Sequence, residues 1–156
     1  MSSELKVDTI SEKTSANGVA IDSVTLKDGA VVGAALTDYV ETDVAVTSGT
    51  TLAIDLANGN TGSVTLAHNV TDIDFTNVPA NGTSSFTLKA TQDGTGSRTL
   101  AINKVTVNGG SEAVALTQGN AGITLSTAAN AVDLVTFLFF DAGNPLVNAL
   151  LDFKNS

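Results

Sequence analysis

The 156 residues suit one compact β domain with an extended arm, and 42% hydrophobic content against 4% aromatic leaves Val, Ile, Leu and Ala to fill the core. Net charge is −9, with 16 acids against seven bases, which sets the surface against phosphate backbones and anionic bilayers, so neither a nucleic-acid nor a membrane partner is expected. There is no cysteine, which excludes disulfides, thiolate metal ligands and cysteine nucleophiles together.

The opening segment, MSSELKVDTISEK, has no basic stretch followed by an apolar run, so it does not read as a secretory signal. No later run approaches the ~18 consecutive apolar residues of a transmembrane helix. The expectation is a chain made in a cytoplasm that stays there or leaves inside something larger. Residues 1–36 carry three of the seven bases, Lys6, Lys13 and Lys27, and only short apolar runs. Asn17-Gly18 separates Val7–Ile10 from Val19–Ile21, and Asp28-Gly29 closes Ser23–Leu26. Such dipeptides supply the positive φ angles of hairpin turns. Strands this short bury too little to stand alone. Residues 1–40 are therefore expected to be an attachment arm and connector, ordered against another chain or surface. A turn or two of helix over 30–40 is weakened by Gly33.

From residue 41 the pattern has period two. Val44 and Val46, then Leu52, Ile54 and Leu56, then Val64 and Leu66 alternate with polar or small residues. Ile73 and Phe75 follow, then Phe86, Leu88 and Ala90, Leu100 and Ile102, Val105 and Val107, Val114 and Leu116, and Ile123 and Leu125. This alternation marks strands with one face in a core and one in water. The 22 threonines suit the wet faces. Two stretches break the rule. Val132–Phe140 (VDLVTFLFF) is nearly all apolar, and so is Leu146–Phe153 (LVNALLDF), for which a helix is an alternative to a strand. Continuous apolar runs suit strands covered on both faces. The second face of Phe137–Phe140 then meets either a neighbouring subunit or a loop of its own chain. Nine or ten strands at spacings near ten residues predict an all-β fold, an antiparallel, jelly-roll-like β-sandwich over 41–156.

Chemistry-bearing residues are sparse. His68, the only histidine, stands in no nucleophilic motif. Asp72 and Asp74 put two carboxylates on one strand face, a pair suited to Ca²⁺ or to acid–base work. Their flanking of Ile73 explains them more simply, since its neighbours then point to water. The loop Gln92–Arg98 is glycine-rich, but a strand follows it rather than the helix a phosphate loop needs, leaving a hairpin loop with at most a Ca²⁺ or glycan contact. Arg98, the only arginine, offers to pair with an acid at an interface. No catalytic residue, cofactor or metal site is expected.

The segment LKVDTISEKTSANGVAIDSVTLKDGAV (5–31) resembles one that recurs near the N-termini of structural proteins of tailed bacteriophages, tail-fibre-like proteins and marine phages especially. SFTLKATQDGTGSRTLAI (85–102) and TLSTAANAVDLVTFLFF (124–140) are similar to the β domain that follows it there. Relatives often carry Trp within the stretch matching Asn103–Gly110, and this chain has none. The resemblance implies a non-enzymatic virion protein, commonly homotrimeric, bound through its arm to capsid or tail proteins. One arm and one domain suit a capsid decoration (cement) protein on the shell exterior. The alternative it leaves open is a short tail fibre or other host-attachment appendage, which would add a host glycan as partner.

Overall fold

Alternation decides which side of a strand faces the core, but it leaves the strand's neighbour open. The computed structural model describes residues 19–21, 24–27, 30–32, 39–111 and 113–153. Among them the only helical segments are single 3-10 turns at Leu56–Asn58 and Gln118–Asn120. The fold is all-β. By internal contacts the chain divides into two units, Met1–Val40 and Glu41–Ser156.

In the first unit, β1 (Val19–Ile21), β2 (Val24–Lys27) and β3 (Ala30–Val32) form an antiparallel meander, with Ile21 opposite Val24 and Lys27 opposite Ala30. Residues 30–32 are strand, which corrects the helical turn considered there. Val7–Ile10, both turn dipeptides and residues 33–38 lie outside the described residues.

The second unit holds two sheets. One contains β5 (Thr51–Asp55), β7 (Asp72–Thr76), β9 (Lys104–Val107) and β10 (Ala113–Val114), in the order β10-β9-β7-β5. The other contains β4 (Asp43–Ala45), β6 (Thr61–Leu66), β8 (Ser84–Gln92), β11 (Leu116–Thr117), β12 (Val132–Phe139) and β13 (Leu146–Phe153). Its order is β11-β13-β12-β8-β6-β4.

The expected antiparallel pairing is corrected here. β4, β6 and β8 are parallel, and so are β5, β7 and β9. From β4 to β9 the chain crosses to the opposite sheet at every step, so each strand pairs with the one two places on. Parallel neighbours need a crossover, and here the strand in the facing sheet supplies it. The antiparallel pairs in this unit are β8–β12, β12–β13 and β9–β10.

Both sheets face one core. Leu52, Ile54, Ile73, Phe75, Val105 and Val107 enter it from the four-stranded sheet. Phe86, Leu88, Val135, Phe137 and Phe139 enter from the six-stranded one. Phe75 holds the middle, with ring centroids 5.9 Å from Phe86, 5.0 Å from Phe137 and 5.1 Å from Phe139. These are the tilted and edge-on geometries that aromatic rings favour. Gly62 makes room for them, since a Cβ there would lie 2.6 Å from the Phe86 ring and 2.9 Å from the Val44 carbonyl.

Some expected strands are reassigned. Leu100 makes only an isolated bridge to Val70, and Ile123 and Leu125 lie in irregular chain. Leu56 begins a 3-10 turn, capped by the Asp55 carboxylate accepting from the Ala57 N–H. Leu116 is in a two-residue strand and is exposed rather than buried. Residues 146–153 are strand, which settles the helix alternative.

Candidate interaction surface

Most of the residues that carry chemistry are occupied by the fold. The Ser48 hydroxyl lies 3.3 Å from His68 Nδ1 and accepts the Ala67 N–H at 2.9 Å, which braces two strand ends. Asp72 and Asp74 share the outer face of β7, as alternation predicts, but both are half-buried rather than turned fully to water. Thr106 Oγ1 donates to Asp72 Oδ1 at 3.4 Å, while Asp74 Oδ1 is buried with no hydrogen-bond partner. Among the described residues no three His, Cys, Asp or Glu side chains come together in a metal-binding group.

The loop after β8 satisfies itself. Asp93 Oδ1 accepts the N–H groups of Thr95 and Gly96, and Oδ2 accepts Arg98 Nε at 2.9 Å and Nη2 at 2.7 Å. The Arg98 hydrogen bonds hold the Asp93 carboxyl below its ordinary value, against the opposing effect of desolvation. Arg98 therefore pairs with an acid of its own loop. Gly96, at φ +73°, lies against the 127–129 backbone, where a Cβ would sit 2.5 Å from the Thr127 carbonyl.

Two buried polar side chains were not signalled by any motif. Gln92 donates to the carbonyls of Arg98 and Ser126 and accepts the Arg98 N–H. Asp133, 1% exposed, sits on the core side of β12. Its carboxylate accepts Ser126 N–H at 2.8 Å, Ser126 Oγ at 2.7 Å and Asp152 N–H at 2.8 Å. Opposite it, Leu151 and Asp152 form a bulge in β13, with Asp152 at φ 62°. An acid inside an otherwise apolar strand was the available signal.

The outer face of the six-stranded sheet is where the sequence pattern departs from its own rule. Register places Thr61, Ser63 and Thr65 of β6 beside Thr87, Lys89 and Thr91 of β8, a polar surface. Across the next pairing, β8 meets Val132, Leu134, Thr136 and Leu138 of β12. Those in turn lie beside Phe153, Leu150, Asn148 and Leu146 of β13, and Leu116 of β11 lies beside Leu146. The face thus changes from hydroxyl-bearing to apolar midway across the sheet. Leu116, Leu146, Leu150 and Phe153 are 42–58% exposed, and Phe140, just past β12, is 59% exposed. A groove of about 510 Å³ runs along this side, lined by Leu116, Thr136, Leu138, Leu146 and Asn148.

No family model, no curated protein and no solved structure matches the chain.

Proposed function

We propose that this chain is a non-enzymatic structural component of a tailed-phage virion, and specifically a decoration protein cementing the outside of the capsid shell. The reading rests first on the resemblance of residues 5–31 and of the β segments to such proteins. The observation that carries it furthest is the apolar outer face over β12 and β13, because large exposed apolar patches mark contact surfaces. The division of the chain at Val40 supports a separate attachment arm. We class the Glu41–Ser156 unit with the β-sandwiches, on its two sheets around one core. Assembly would take place in the host bacterial cytoplasm. Each copy buries modest surface, and repetition over a symmetric particle makes weak contacts hold.

The test is position and copy number on the intact particle. Image reconstruction is expected to place the protein on the shell, and quantitative mass spectrometry to count hundreds of copies per virion. A few dozen copies confined to the tail would move it to the fibre or host-attachment alternative. Its absence from purified particles would overturn the reading. Deleting residues 2–36 is expected to leave a folded domain that no longer joins particles. Full occupancy by the truncated chain would show that the arm is not the anchor.

A further inference from the structure

We infer that the outer face of β12 and β13, with Leu116 of β11, is a self-association surface occupied by the same face of a second copy of this chain. The inference deepens the assembly reading above and rests on it for biological context, although its own test needs no virion.

Three observations select this occupant. The first is charge. The chain carries −9, so two copies repel over most of their surfaces. The residues that register places on this face, Val132, Leu134, Thr136, Leu138, Leu146, Asn148, Leu150 and Phe153, include no acid and no base. Two equally acidic copies can meet here without repulsion, whereas a basic partner would be drawn to the acidic surfaces instead.

The second observation is area. Leu116, Leu146, Leu150 and Phe153, each 42–58% exposed, adjoin Val132, Leu134 and Leu138 in one continuous apolar surface, the kind of patch that marks a contact face, and a stable interface takes about 800 Å² from each partner. Thr136 and Asn148, between the apolar ends, extend that surface. Burial of Thr136 costs little, because its Oγ1 already lies 3.2 Å from Thr87 Oγ1 in a hydrogen bond. A patch meeting itself about a two-fold axis needs no second complementary surface, and such a pair differs from the homotrimer that the resemblance implies.

The third observation decides between face and edge. Beyond Val147, β13 has no neighbour on its outer side among the described residues, since β11 pairs only with Leu146 and Val147. An open edge invites strand addition. Here the Leu151–Asp152 bulge interrupts that edge, and Asp133 fixes the bulge by accepting the Asp152 N–H. Bulges and edge charges block edge pairing, so the contact is made by side chains across the face.

The experiment is sedimentation of the full chain across roughly two decades of concentration. Wild type is expected to associate reversibly. Leu150→Glu and, independently, Leu146→Glu are each expected to weaken association about tenfold or more, since either buries an unpaired charge at the contact. Both positions are exposed, so circular dichroism is expected to show an unchanged fold. Thr65→Glu, on the hydroxyl-bearing part of the same face, is expected to change nothing. A wild-type chain that stays monomeric at all concentrations overturns the inference, whether the cause is its own arm lying over the face or an interface reserved for a different partner. Association undiminished in both Leu variants overturns it equally. Failure to find the protein on particles would sink the virion reading and leave this result standing, so the two can fail separately.

Discussion

Asp133→Asn isolates the role of a buried carboxylate that no motif announced. Asp133 is 1% exposed and receives three donors, Ser126 N–H, Ser126 Oγ and Asp152 N–H, at 2.7–2.8 Å. Asparagine keeps the shape but must turn an NH₂ toward one side. On the Oδ2 side it faces the Ser126 N–H; on the Oδ1 side it faces the Asp152 N–H and a hydroxyl that can rotate to accept. In either orientation one backbone N–H loses its acceptor. A hydrogen bond to a charged group contributes about 1.5–3 kcal/mol, and an orphaned buried donor costs about 1–3. These overlap, and removing a buried charge returns part of its desolvation cost. The net expectation is a loss of about 2–3 kcal/mol. Ser126→Ala removes only the hydroxyl and is expected to cost about 1.5 kcal/mol. The double variant is expected to cost less than the sum, because in Asp133→Asn the Ser126 hydroxyl bonds a neutral amide instead of a carboxylate, and removing it then costs less. Urea unfolding at fixed protomer concentration reads all three. If Asp133→Asn unfolds within about 0.5 kcal/mol of wild type, or the two changes simply add, the carboxylate does not hold the bulge and the network argument fails.

Two further outcomes follow from the same geometry. Gly62→Ala is expected to destabilise by about 1–3 kcal/mol in the same urea assay, because the new methyl meets the buried Phe86 ring, itself packed on Phe75, and the Val44 backbone. The Asp93 carboxyl is held below its ordinary 3.8 by Arg98, so its contribution to stability is complete above that value and is lost as pH falls through the lowered folded-state value. A carboxyl-carbon NMR titration is expected to give Asp93 a midpoint below 3.8 that moves back up in Arg98→Ala.

Which residues face the core was legible, and which strands are neighbours was not. Ile73 and Phe75, Phe86 and Leu88, and Val105 and Val107 all point inward as their spacing requires. The same spacing serves a hairpin and a crossing to the opposite sheet equally well, because side-chain alternation records only the two faces of a strand. Spacing near ten residues therefore suits antiparallel neighbours as well as the fold's actual arrangement, in which successive segments lie in opposite sheets and β5, β7 and β9 pair in parallel. Leu116 shows the second limit. It ends an alternating pair in sequence, yet lies exposed beside Leu146, because the two-residue β11 joins the edge of β13. The apolar runs 132–140 and 146–153 did carry a signal of a second apolar face. Asp133 hid within that signal, since its partners Ser126 and Asp152 come from other parts of the chain.

The bulge bears on how an assembly built from this chain can end. A free β13 edge would add strands from any copy, and each addition would expose a fresh edge, so pairing by backbone hydrogen bonds has no natural limit. Contact through the apolar face consumes the face on both partners and presents no new one, so it closes. The sequence around the bulge separates these outcomes with few residues. Leu146, Leu150 and Phe153 supply the surface to be buried, while Asp152, held at positive φ by Asp133, disrupts the edge beside them. Loosening that hold frees an edge lined with large apolar side chains. Asp133→Asn is therefore expected to shift association from a finite species toward open-ended aggregation, even under conditions where most molecules remain folded.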